Sequence, residues 1–169
     1  QVLRKAGKQM NKVTNAQRAE ILTQALPYIQ NYYGKIVVVK YGGNAMTDPV
    51  LKKNVMQDIL LLHLIGVNVI LVHGGGPDIN AMLDALKIES HFENGLRVTD
   101  KDTMDVVQMV LAGKVNKGLV AYLTALGGKA IGLCGIDGNM IQVHTKNEKL
   151  GLVGEIDHID TAVIDSALS

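Results

Sequence analysis

Ile36-Val37-Val38-Val39-Lys40-Tyr41-Gly42-Gly43 and Val69-Ile70-Leu71-Val72-His73-Gly74-Gly75-Gly76-Pro77 are two apolar runs that each empty directly into glycines. A β-branched run of this length, bounded by glycine, reads as a buried strand, and the glycines form a turn with exposed backbone N–H groups. A helical pattern follows each turn. The order strand, helix, strand, helix predicts right-handed crossovers and parallel strands, so both glycine turns should leave the same C-terminal edge of a sheet. That edge is where open α/β sheets bind anionic ligands.

The rest of the chain supports this reading. Its 169 residues suit one domain with a substantial core, and 47% hydrophobic against 20% charged residues is a globular balance. Seventeen Lys and Arg against sixteen Asp and Glu leave a net charge of +1, and there is no Trp and one Phe. Neither a broad positive field nor a stacking platform for nucleic acid results. Cys134 is the sole cysteine, so a disulfide or a cysteine-based metal site within one chain is excluded. No charged-then-apolar leader opens the sequence, and the apolar stretch from Ile59 to Val72 is broken by His63, Gly66 and Asn68. A cytoplasmic protein without membrane contact is the expectation.

Outward from the two runs, the pattern predicts further elements. Residues 1 to 13 place Leu3, Ala6, Met10 and Val13 at helical spacing among basic residues. Thr14 and Gln17 form a capping box for a second helix that Pro27 kinks or restarts and Gly34 ends. Asp48-Pro49 starts the helix between the two strands, with Gly66 at its C-terminus. Pro77 opens the next helix. Ile88 to Val98 reads as an extended excursion with a hairpin, and Thr99 with Asp102 starts a long helix, flawed at Gly113, that runs to Leu126. Lys129 to Ile136 is predicted as a strand, Asp137-Gly138 as a hairpin turn, and Met140 to Thr145 with Leu152 to Ile156 as a β meander. A last helix, begun at Asp160-Thr161, is barely under way at Ser169, which suggests a piece of something longer.

Several glycine signatures are absent. None of Gly34-Lys35, Gly113-Lys114 or Gly128-Lys129 is followed by Ser or Thr, so no Walker A loop is present. Ile79 stands where the dinucleotide fingerprint starting at Gly74 needs its last glycine. What remains is an anion site of a different make. Lys40 at a strand outlet, just before Gly42 and Gly43, can face a closely approaching ligand, although a lysine reaching solvent fits the same position. Gly74 to Gly76 before Pro77 offer N–H groups and the positive end of a helix dipole, or else a tight turn with close packing. His73 reads as a packed, hydrogen-bonded histidine rather than a base. Arg97, after the Asn94-Gly95 turn, suits a carboxylate or a surface ion pair. Asp100, Asp102 and Asp105 read as acids favoured in a first helical turn rather than as a metal site.

Together, Val39-Lys40-Tyr41-Gly42-Gly43-Asn44-Ala45-Met46, His73-Gly74-Gly75-Gly76-Pro77 and Gly95-Leu96-Arg97-Val98-Thr99 resemble the amino-acid kinase family, and within it the acetylglutamate kinases. No single string is specific, but three in this order are. Ala112-Gly113-Lys114-Val115-Asn116-Lys117 also fits, and the resemblance covers about Lys35 to Ser169. It implies a three-layer αβα sandwich with a mainly parallel central sheet plus a β-hairpin region. Residues 34–169 would be the acetylglutamate-binding N-terminal lobe, cut before the nucleotide-binding lobe. Residues 1–33 would be a helical extension similar to that of arginine-sensitive, hexameric members.

The implied chemistry is phosphoryl transfer from ATP with Mg2+ to the γ-carboxylate of N-acetyl-L-glutamate, giving an acyl phosphate in arginine biosynthesis. By motif position, Lys40 would stabilise the transferring phosphoryl group and Gly43 would lie beside it. Gly75 and Gly76 would hold the acetylglutamate, and Arg97 would clamp its α-carboxylate; no residue is assigned to a metal. This agrees with the physics of phosphoryl transfer, which is chiefly positioning and charge stabilisation. Family members are nearly twice this long, and the remaining half supplies most of the nucleotide pocket, a second lysine, an asparagine and an aspartate. The 169-residue chain is therefore expected to bind no ATP or Mg2+ and to be inactive alone. A homo-oligomer, dimer or hexamer, and feedback inhibition by arginine are implied as well. A carbamate, glutamate or nucleotide kinase of the same family, or a non-catalytic module that binds an amino acid, are the alternatives; Arg97 in its string favours acetylglutamate.

Overall fold

A computed structural model describes residues 13–169 of the chain. The basic helix expected over the first thirteen residues therefore lies almost wholly outside the described residues. Thr14 caps helix α1 (Asn15–Tyr32) through the expected box: the Gln17 N–H donates to Thr14 Oγ1, and Gln17 Oε1 accepts from the Thr14 N–H. The helix runs unbroken through Pro27, and none of its residues is buried.

Strands β1 (Ile36–Tyr41) and β2 (Asn68–His73) pair in parallel, Val37 against Val69 through to Tyr41 against His73. The ladder extends by one bond, from the Gly74 N–H to the Tyr41 carbonyl at 3.0 Å. Both glycine turns thus leave the same edge, as the crossover rule requires. Between the strands come a four-residue helix α2 (Asn44–Thr47) and helix α3 (Pro49–Leu64). Asp48 caps α3, its Oδ1 accepting from the Val50 and Leu51 N–H groups at 2.7 and 3.1 Å, with Pro49 as the first helical residue. Gly66 follows with φ +92°, the left-handed geometry that lets the chain turn into β2.

After β2 come α4 (Gly76–Leu86), the hairpin β3 (Phe92–Glu93) and β4 (Leu96–Arg97), and a long helix in three parts. Those parts are α5 (Lys101–Gln108), a π-helical segment Met109–Val115, and α6 (Asn116–Ala125). The flaw expected at Gly113 is this π segment. Its cause is legible in the buried stripe Val106, Val110, Val115 and Leu119, whose steps are four, five and four residues. An i→i+5 turn in the middle keeps all four on one face. They join Tyr41, Met56, Ile59, Ile79 and Leu83 in the core. Met56 and Leu83 have no exposed surface, and each is stabilised by about 1.5–3 kcal/mol of burial.

These helices cover the sheet face of Tyr41, Val69 and Leu71. On the opposite face Ile36, Val38 and Val72 are exposed. Among the described residues the parallel part of the sheet is this one pair, and the other strand pairs are antiparallel. Beyond α6, no strand forms over residues 129–136, contrary to expectation. Side chains take the place of a ladder there: Lys117 Nζ donates to the Gly132 carbonyl at 2.8 Å and Asn116 Nδ2 to that of Leu133 at 3.1 Å. Asp137-Gly138 is likewise a 3-10 turn (Asp137–Asn139) rather than a hairpin turn, because Asp137 Oδ2 reaches back to the Cys134 N–H. The meander is present as antiparallel β5 (Ile141–Thr145) and β6 (Gly154–Ile159), and α7 (Ala162–Leu168) follows.

Candidate functional site

Lys40 is the last but one residue of β1 and stands opposite Val72 in the register. Alternation along the strand puts it on the exposed face with Ile36 and Val38, and its side chain makes no hydrogen bond or ion pair among the described residues. Gly42 and Gly43 follow. Nothing lies within 4 Å of where a Cβ would stand at either, and Gly43 has φ +61°, a conformation that suits glycine. The first turn is open space one residue beyond an exposed lysine.

The second turn is less uniform than three equal glycines suggest. Gly74 and Gly76 are exposed, and a methyl added to either would meet nothing within 4 Å. Gly75 is buried, and a Cβ there would stand 2.5 Å from Leu111 Cδ2 and 3.3 Å from Val115 Cγ2. A side chain at Gly75 would have to displace Leu111 of the π segment. Gly76 begins α4, whose first intrahelical bond runs from the Ile79 N–H to the Gly75 carbonyl at 2.9 Å. The N–H groups of the first turn therefore lack intrahelical acceptors and carry the positive end of the helix dipole.

His73 is packed as expected. Its Nδ1 lies 2.9 Å from the Gly74 carbonyl and its Nε2 3.3 Å from Asn116 Nδ2. A ring that donates from Nδ1 and accepts at Nε2 satisfies both contacts in the neutral form. Tyr41 donates from its hydroxyl to the Ala45 carbonyl at 2.8 Å; burial, and then the neighbouring Tyr122, raise its pKa above the ordinary phenol value. Beside it lies a cavity of about 110 Å³ bounded by Met46, Lys52, Asp78, Lys114 and Leu119.

Arg97 is not free, and among the described residues it is in no ion pair with a carboxylate. The Asn94-Gly95 turn, with φ +51° and +80°, sets a two-residue hairpin whose register places Phe92 directly opposite Arg97. The guanidinium carbon sits 4.6 Å from the Phe92 ring centroid. One terminal nitrogen donates to Ser90 Oγ and the other to Asn80 Oδ1 at 2.5 Å. Asn80 belongs to α4, so the arginine is tied to the helix that starts at Gly76. The fold brings together the second turn, α4 and Arg97, and sets the Lys40 turn on the neighbouring strand.

The acids at the start of α5 do not converge on a metal: among the described residues no group of three His, Cys, Asp or Glu could hold one. Asp100 caps α5, accepting from the Thr103 N–H at 2.8 Å, and its hydrogen bonds with Thr103 lower its pKa below the ordinary carboxylate value. Asn80, Ser90 and Phe92, and the Asp78–Lys114 contact, carry no signal in the sequence that singles them out as functional. A two-residue Asn-Gly loop predicts the Phe92–Arg97 register; no local signal points to Asn80, seventeen residues away.

A model of the amino acid kinase family matches residues 35–169. The acetylglutamate kinase of Brachyspira hyodysenteriae is 56% identical over 162 residues, covering 95% of this chain and 56% of that protein. That of Caldicellulosiruptor bescii is 59% identical over 156 residues, covering 88% and 53%. The chain spans about half the length of the curated relatives it matches. A crystal structure of a Streptococcus mutans protein aligns with a TM-score of 0.71 at 30% identity, covering 79% of this chain and 54% of that one. The N-acetylglutamate synthase of Neisseria gonorrhoeae, complexed with coenzyme A and N-acetyl-glutamate, shares the fold at a TM-score of 0.62 and 24% identity, covering 87% and 34%. With the match over residues 35–169, the chain belongs to the amino acid kinase family.

Proposed function

We propose that this chain is the acetylglutamate-binding part of an acetylglutamate kinase, which phosphorylates the γ-carboxylate of N-acetyl-L-glutamate in arginine biosynthesis. The observation that carries the reading is the pairing of two open glycine turns on one sheet edge with Arg97 tied to the helix of the second turn. Gly76 and the first turn of α4 offer N–H donors to the amino-acid ligand, and Gly75 holds that turn in place. Arg97 presents a planar fork suited to the α-carboxylate.

On the other turn, Lys40 and the bare backbone of Gly42 and Gly43 fit the phosphate end of a nucleotide, since no side chain fills the space there. ATP with Mg2+, when bound, supplies the phosphoryl group and cationic charge that offsets the phosphates. Lys40 holds its ammonium toward the negative charge that spreads over a transferring group, and Gly43 allows close approach. The isolated 169-residue chain binds the amino acid but does not catalyse transfer. A cytoplasmic location belongs to the same reading; among the described residues no helix is long and apolar enough to cross a membrane. So does a homo-oligomer, supported by exposed Ile21, Leu22, Leu26 and Tyr28 on α1, with arginine as feedback inhibitor of the whole enzyme.

Calorimetric titration of the chain with N-acetyl-L-glutamate tests the reading. Binding that is lost in Arg97→Ala supports it, and equal binding by both chains removes the clamp. ATP-dependent acyl phosphate formation by the isolated chain would overturn the claim of inactivity.

A further inference from the structure

Arg97 is anchored at two of its three nitrogens by groups of the chain itself. The groups that hold it are neutral: the Asn80 amide oxygen at 2.5 Å, the Ser90 hydroxyl and the face of Phe92. Guanidinium carries five N–H donors, so two anchoring bonds leave three for a ligand. No carboxylate pairs with it among the described residues, so its charge is held in place without being neutralised. An arginine oriented in this way gives up less side-chain freedom on binding a carboxylate than a free one does.

Asn80 is the anchor that matters for position. It lies on α4, one turn beyond Gly76, whereas Ser90 and Phe92 lie on the excursion that carries Arg97 itself. Among the described residues Asn80 is what couples the fork to α4, the helix that begins at the second glycine turn. An aspartate at this place would anchor equally well and cancel the charge; asparagine anchors and leaves it.

We infer that Asn80 is a positioning residue that sets the selectivity of this site for a carboxylate over its neutral isostere, acting through Arg97. The inference rests on the proposed role of Arg97, and the test separates the two. The chain is titrated with N-acetyl-L-glutamate and with its α-amide, in which only the α-carboxylate is neutralised. The unsubstituted chain should prefer the acid. Asn80→Ala should weaken the acid about tenfold and leave the amide unchanged, and on an Arg97→Ala background it should have no further effect. Asn80 is exposed on its helix and alanine favours helix, so the variant should fold; Ser90→Ala serves as a second probe of the same anchoring.

Equal weakening of acid and amide by Asn80→Ala, or a further loss in the double variant, would overturn the inference. Should Arg97→Ala abolish the preference while Asn80→Ala keeps it whole, the carboxylate reading stands and the positioning role falls. No preference in the unsubstituted chain would remove the carboxylate reading and the inference with it.

Discussion

Lys114 Nζ lies 2.8 Å from Asp78 Oδ1, joining the π segment to the first turn of the helix that follows the triple glycine. Both side chains are partly exposed, so the ion pair is expected to add no more than about 1 kcal/mol to stability. Lys114→Met should therefore move the urea midpoint little, and its effect should shrink further in high salt. A loss well above that figure, measured by denaturant unfolding, would show that the contact is part of the core rather than a surface tie.

Gly75 and Gly76 should respond differently to the same added methyl. At Gly75 the methyl meets Leu111 and Val115, and overpacking of this kind costs about 1–3 kcal/mol. Leu111→Ala in the same chain should relieve part of the loss. At Gly76 there is nothing within 4 Å, so Gly76→Ala should leave stability within about 0.5 kcal/mol and weaken N-acetyl-L-glutamate binding. Thermal unfolding beside calorimetric titration distinguishes the two; parallel behaviour would remove the division of labour within the turn.

Acid should loosen the start of α5. The Asp100 carboxyl has a lower pKa in the folded chain than the ordinary value of 3.8, because its ionised form accepts from Thr103. Its contribution is thus fully present above that ordinary value and is lost as pH falls through the folded pKa. Asp100→Asn retains an acceptor without the titration. Urea midpoints compared between about pH 6 and about pH 2 should fall further for the unsubstituted chain than for the variant. An identical acid dependence would exclude this cap as a source.

Lys40 is the residue whose loss should separate stability from chemistry. Its side chain has no hydrogen-bond or ion-pair partner among the described residues, so Lys40→Met is expected to change unfolding free energy by less than about 0.5 kcal/mol. In a protein extended by the half that its relatives carry, the same change should lower the proposed transfer rate by about 10²-fold or more. Near-normal turnover would remove Lys40 from its role.

The frame of this molecule is written in short-range signals. The Asp48-Pro49 start, the Thr14 box, the two β-branched runs and the Asn94-Gly95 turn each specify local geometry, and the observed elements follow them. Where the fold departs from these expectations, distant side chains decide. Lys129 to Ile136 has the composition of a strand, but Asn116 and Lys117 occupy carbonyls that a ladder would use. The candidate site divides in the same way: Lys40 and the glycine turns are legible as strand outlets, and Arg97 only through motif resemblance. Its anchor Asn80 is not legible, since an exposed helical asparagine carries no mark of the arginine it holds.

The π segment has a consequence for variation in chain length. Because its five-residue step sits between two four-residue steps, removing one residue between Val110 and Val115 would leave steps of four throughout, which an ordinary α-helix can present on one face. Insertions and deletions are usually confined to loops. Here a helix packed on the core by one stripe can absorb one as a change of winding, with that apolar stripe kept in phase. Relatives that differ by a single residue at this place can therefore share one core.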